Sequence, residues 1–146
     1  MAAEPSDHAL GYALITQFQV AAGQMGAAVA DALRELDLTE PSANLVWLLD
    51  PANEPPSMRQ LAAGLFCDPS TITFIVDKLE KRGIVERRPS ASDGRVKVVA
   101  LTTEGARLRR ELVAAVTARS PMSRLSLREK RQLHRLLSKA IAAAAD

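Results

Sequence analysis

The sequence predicts a mainly α-helical chain with a small β-hairpin wing, that is, a winged helix-turn-helix whose N- and C-terminal helices form a dimerisation region. Three observations predict it. Apolar residues recur at helical intervals along most of the chain. Two short helix signals, each with its own cap, stand on either side of a tight turn at Phe66 and Cys67. Directly after them the pattern changes to two β-type runs joined by a turn dipeptide.

Composition narrows the class. A length of 146 residues fits one domain, or one domain whose helical extensions need a partner for burial. An apolar fraction of 47% supports a core, and 3% aromatic means that aliphatic side chains build it. The single cysteine, Cys67, excludes an internal disulfide framework and fits a reducing cytoplasm. Residues 9–30 carry no charged side chain, so a membrane span has to be weighed. Gln17, Gln19 and Gln24, three glycines and many alanines argue instead for a buried helix of a soluble protein. No basic residue precedes the stretch, as a signal peptide would require. The expected localisation is cytoplasmic.

Taken in order, Leu10, Leu14, Phe18, Ala21, Met25, Val29, Leu33 and Leu36 mark the first helix, with Ser6 or Asp7 as its cap. At about 30 residues it is roughly 45 Å long. So small a chain offers such a helix few partners, and a second subunit supplies them. Thr39 is expected to cap a second helix, with Glu40 and Pro41 in its first turn and Leu45, Val46, Leu48 and Leu49 as its apolar residues. Residues 50–56 hold three prolines and read as a loop. Ser57 and Gln60 are spaced as a capping box that opens a short helix through Leu65. Asp68 and Pro69 then give an N-cap followed by proline, opening a helix to Arg82, where Gly83 ends it. Residues 84–89 and 95–101 read as strands joined by a hairpin loop at 90–94 with an Asp93-Gly94 turn. Thr102 or Thr103 caps a further helix bearing Leu108, Leu112, Val113 and Val116. Pro121 interrupts it, by a kink or a break. Ser126 and Glu129 form a second capping box, for a last helix with Leu133, Leu136, Leu137, Ala140 and Ile141 apolar.

The helix after Pro69 is the one that a helix-turn-helix places in a major groove. At about 100° per residue, Ile72, Ile75, Val76 and Leu79 share one face, the core side. Ser70, Phe74, Asp77 and Lys81 lie opposite, flanked by Thr73 and Lys78. Serine and threonine near a helix N-terminus reach phosphates or base edges. Net charge is only +2, yet residues 1–56 hold one basic residue against eight acidic, and residues 57–146 hold eighteen against nine. Seven of those cations fall between Lys78 and Lys97. Such a split marks either a face for a polyanion or a set of solvated helix faces. Arg95 sits just past the hairpin tip, where it could enter a narrow minor groove. Asp93 is placed to orient it or to pair with a neighbouring cation.

Three stretches together resemble the MarR family over nearly the whole chain. Leu61-Ala62, Ser70-Thr71-Ile72-Thr73 and the run Val76–Val85 are similar to its recognition region. Asp93-Gly94-Arg95 with Leu101-Thr102-Thr103-Glu104-Gly105 resembles its wing and exit, and Leu125-Ser126-Leu127-Arg128-Glu129 resembles the start of its last helix. The resemblance implies a single domain over 1–146, with 1–38 and 103–146 as dimerisation helices and 39–102 as the DNA-binding winged helix. It implies a homodimer whose first and last helices interlock, and two recognition helices in successive major grooves of a pseudo-palindromic operator. It further implies a repressor answering to a small-molecule effector, with no cofactor and no catalysis. Ser70, Thr71, Thr73, Phe74 and Lys78 are then the expected major-groove residues. Arg88, Arg95 and Lys97 hold backbone and minor groove, and Asp93 and Gly94 shape the wing.

Two residues depart from the family pattern. Phe74 stands where many members have a basic side chain, and either touches a thymine methyl or folds against a neighbouring element. Gly94 replaces a frequent second arginine, which predicts a more flexible tip with one cation fewer.

Other residues carry weaker signals. Cys67 reads as a packing residue or as an oxidant sensor, with packing favoured. His8 and His134 stand at opposite ends of the chain, so no zinc-spaced cluster is expected. Asp77 and Glu80 lie beside cations, and solvated ion pairs are expected for both. Tyr12, Phe18 and Trp47 are expected to pack in the core, or else to line a pocket for an aromatic or phenolic effector. A winged helix serving only as a protein-interaction module would lack cations on its outward face and wing. A methyltransferase would need a cofactor-binding βαβ unit, which the pattern does not contain.

Overall fold

The computed structural model describes residues 6–143. They form α1 (Asp7–Glu35), α2 (Glu40–Leu48), α3 (Met58–Gly64), α4 (Pro69–Lys81), β1 (Val85–Pro89), β2 (Lys97–Leu101), α5 (Thr103–Arg119) and α6 (Leu127–Ala143), with a 3-10 turn at Pro121–Arg124. The described residues up to Val29 and from Val116 onward make one compact unit, and Ala30–Ala115 make the other. The dividing points fall inside α1 and α5. No helix is long and apolar enough to cross a membrane among the described residues.

In the Ala30–Ala115 unit, α2, α3 and α4 pack together, β1 lies against α4 and β2 against α3. Its core is aliphatic: Leu45, Val46, Leu61, Ile72, Val76, Leu79, Val85 and Val99 are all nearly or fully buried. Leu48, grouped by sequence with the apolar side of α2, is instead exposed. The hairpin is antiparallel, with Val85 opposite Leu101 and Pro89 opposite Lys97. Both strands are shorter than the sequence suggests. Arg95 and Val96 belong to the loop, because Asp93 takes their N–H groups through Oδ1 (3.0 Å) and its carbonyl (2.9 Å). The supposed loop 50–56 ends in a β-type contact: Val99 N–H donates to Pro56 O at 2.9 Å, and Ser57 bridges Val98. Three prolines hid it from the sequence pattern.

The caps show why the helices begin where they do. Ser57 and Gln60 exchange both capping-box bonds (3.2 and 2.8 Å), and Ser126 and Glu129 do the same (3.4 and 2.8 Å). The Ser6 hydroxyl accepts from Ala9 N–H. Thr39 and Asp68 occupy their expected N-cap positions without a side-chain cap bond. The Thr39 hydroxyl goes to Ser42 Oγ instead (3.0 Å). Of the two threonines proposed before α5, Thr102 is the cap, accepting from Gly105 N–H at 3.0 Å. Pro121 separates two helices rather than kinking one, since it cannot donate to the α5 ladder.

The other unit exposes apolar side chains beside its charged ones. Leu10, Leu14, Phe18 and Met25 of α1, and Leu136 and Ile141 of α6, are exposed. The core role expected of the scarce aromatics is therefore not met within one chain. Tyr12 is 72% exposed, Phe18 59% and, on α2, Trp47 45%.

Candidate nucleic-acid interface

The α4 helix starts cleanly because Pro69 presets its first turn, and it stops because Gly83 adopts a left-handed φ of 69°. Ile72, Ile75, Val76 and Leu79 anchor its inner face. Ser70, Thr71, Thr73, Phe74, Asp77 and Lys78 therefore all point to solvent. Phe74 is 71% exposed and does not fold against a neighbouring element, which removes one of its two alternatives. The Thr73 hydroxyl donates to Pro69 O at 3.0 Å, leaving its lone pairs outward as acceptors.

The wing carries Arg88, Asp93, Gly94, Arg95 and Lys97, all exposed. Asp93 shapes the tip by accepting the backbone N–H of Arg95 and forms no ion pair among the described residues. Gly94 has no left-handed φ, and a Cβ there would meet nothing within 4 Å, so the tip does not require glycine. Lys78, Arg95 and Lys97 have no carboxylate partner among the described residues. Arg88 lies 3.9 Å from Glu86. The structure thus groups the five α4 candidates on one solvent face and the other five on the hairpin.

Two nearby cations do other work. Arg82 donates to Asp37 O at 2.8 Å, tying the end of α4 to the turn after α1. Arg87 reaches from β1 to two carboxylates of α4, Asp77 (2.6 Å) and Glu80 (2.5 Å). Burial works against the charged guanidinium, but its bonds to Asp77 and Glu80 outweigh this and raise its pKa. Sequence reasoning expected ion pairs for these carboxylates and missed the partner. Its signal is the side that Arg87 takes on β1, which only the strand's docking reveals.

A cleft of about 200 Å³ lies between the 50–56 loop, the hairpin and the start of α5, lined by Asp50, Pro55, Arg88, Val99 and Ala106 among others. Tyr12, Phe18 and Trp47 are not in its wall. Cys67 is a free, half-buried thiol at the turn before α4.

The MarR family profile matches residues 38–97, from the loop before α2 to the start of β2. Over 102 residues the chain is 33% identical to the HTH-type transcriptional regulator SarZ of Staphylococcus saprophyticus, covering 70% of this chain and 69% of SarZ. The chain belongs to the MarR family. It is a winged-helix, DNA-binding transcriptional regulator. This MarR-family chain is also 34% identical to the HTH-type transcriptional repressor IacR of Pseudomonas putida over 73 residues, half of this chain and 43% of IacR. CouR from Rhodococcus jostii RHA1, solved with p-coumaroyl-CoA, superposes with a TM-score of 0.63 at 32% identity over 92% of each chain.

Proposed function

We propose that this MarR-family regulator is a cytoplasmic homodimeric repressor that binds a pseudo-palindromic operator. Ser70, Thr71, Thr73, Phe74 and Lys78 read the major groove. Arg95 enters the minor groove, Arg88 and Lys97 neutralise phosphates, and Asp93 sets the tip. The observation that carries this reading is the continuous solvent-facing set on α4 beside three exposed wing cations. Repression follows the role of IacR, a transcriptional repressor. Dimerisation rests on the exposed apolar surfaces of α1 and α6, since a monomer would leave them in water. The protein binds rather than catalyses.

Its effector is a small aromatic or phenolic molecule. CouR holds a p-coumaroyl thioester, and Tyr12, Phe18 and Trp47 offer exposed aromatic surface. A panel of phenolic acids and their thioesters should change Trp47 fluorescence and weaken operator binding. A panel that moved neither would remove the effector from the proposal.

The operator itself is tested by selecting bound duplexes from a random library. A palindrome with half-sites about one helical turn apart supports the reading. A library that returns no enriched sequence at low salt overturns it.

A further inference from the structure

We propose that Arg87 is a positioning residue for DNA binding, holding the wing on the recognition helix and masking two carboxylates there. The inference rests on the operator-binding reading above. Arg87 is the third residue of β1, opposite Val99, and its side chain is only 24% exposed. Its Nη2 donates to Asp77 Oδ1 at 2.6 Å and its Nη1 to Glu80 Oε2 at 2.5 Å. Its backbone N–H donates to the other Glu80 oxygen at 3.0 Å. One residue of the hairpin thus holds two carboxylates one turn apart on α4, through three hydrogen bonds.

Geometry and charge both give this a consequence for binding. Three bonds between β1 and α4 fix the hairpin relative to the helix, so Arg95 and the outward face of α4 are presented in one register. Asp77 belongs to the outward set of α4, and Glu80 is also exposed. Without Arg87, Asp77 and Glu80 offset two of the three cations at this end of α4, Lys78, Lys81 and Arg82. A bare carboxylate there repels phosphate. With Nη1 on Glu80 and Nη2 on Asp77, the guanidinium is committed inside the protein rather than offered to DNA. Arg87 thereby differs from Arg95 and Lys97, which have no such partners among the described residues.

The test compares wild type, Arg87→Gln and the triple variant Arg87→Gln/Asp77→Asn/Glu80→Gln on the selected operator across a range of salt. Arg87→Gln is expected to weaken binding about tenfold without flattening the dependence of log K on log salt. A lost phosphate contact would instead reduce that slope by about 0.9. The triple variant has no carboxylate left to mask, and its amide oxygens at positions 77 and 80 still accept from the backbone N–H and side-chain amide at position 87. Its affinity is therefore expected to return to within about threefold of wild type. An unchanged Arg87→Gln affinity, a slope lowered by one contact, or a triple variant as weak as the single one each overturns the proposal. Should Arg87→Gln fail to fold, the triple variant decides alone. Amide exchange in the free protein provides a readout independent of DNA. Strands β1 and β2 should exchange faster in Arg87→Gln than in wild type, and equal rates would refute the clamp. Wild type binding no duplex would sink the operator reading and leave the exchange result to judge the clamp.

Discussion

Phe66 holds a left-handed φ of 51° with its ring 96% exposed, in the turn between α3 and α4. A bulky side chain there costs backbone energy and gains no packing in the chain. Phe66→Gly should therefore stabilise the protein by about 0.5–1 kcal/mol, after the entropy that glycine adds to the unfolded state. Thermal unfolding checks this, and a lower midpoint would mean that the ring has a partner outside the chain. Nothing in the sequence signals that φ, since glycine or asparagine is the usual mark of a left-handed position. Arg95 is the opposite case, legible from its place beside the hairpin tip. Arg95→Ala should cost on the order of 1–3 kcal/mol of operator affinity if the guanidinium fills a minor groove. Titration at fixed salt measures the loss, and an unchanged affinity rules that role out. Phe74 was half legible: the helical wheel put it outward, but only the packed structure excluded a neighbouring element.

Among the elements, the junction between the hairpin and α5 is the tightest. A Cβ at Gly105 would stand 1.9 Å from the backbone carbonyl oxygen of Ile84. The glycine is required for this close approach, and Thr102 completes the junction by donating to Gly83 O and accepting from Gly105 N–H. Gly105→Ala should destabilise the fold by about 1–3 kcal/mol or more, because the obstacle is backbone and α5 must shift as a whole. Urea unfolding decides the point, and a cost below about 0.5 kcal/mol would show that the junction yields. The start of α6 has a pH signature. The hydroxyl and N–H of Ser126 hold the Glu129 carboxyl below the usual range, and Arg107 does the same for Glu104 at the start of α5. A lowered carboxyl pKa stabilises the folded state above the unfolded value, near 4.3, and that contribution disappears as pH falls through the lowered folded value. Helicity followed by circular dichroism from pH 6 to 3 should therefore fall more steeply in wild type than in Glu129→Gln. Superimposable curves would exclude a contribution from the capping box. Both capping boxes were legible because their bonds span only three residues, whereas the true ends of the strands depended on what Asp93 binds.

For the whole molecule, the exposed apolar residues of α1 and α6 are the main prediction. In the proposed dimer, with Phe18 in its interface, Phe18→Glu puts a charge into each half of that interface and removes two aromatic contacts. Dimer affinity should fall by about 3 kcal/mol or more, on the order of 100-fold. Sedimentation at micromolar concentration measures it, and a variant as dimeric as wild type would move the interface away from this part of α1. The sequence by itself determined the element order and the aliphatic core face of α4, because each is written in local spacing, and its motifs carried the resemblance to the family. The apolar period of a helix, a cap and its partner three residues on, and the turn before a recognition helix all lie within one or two turns of chain. Only the tertiary structure decided which cations remain available. Within the run of cations from Lys78 to Lys97, nothing local set Arg82 and Arg87 apart, yet Arg82 binds the Asp37 carbonyl and Arg87 binds Asp77 and Glu80, whereas Arg95 has no carboxylate partner among the described residues. A charge's partner is set by which elements pack side by side, and no local pattern carries that.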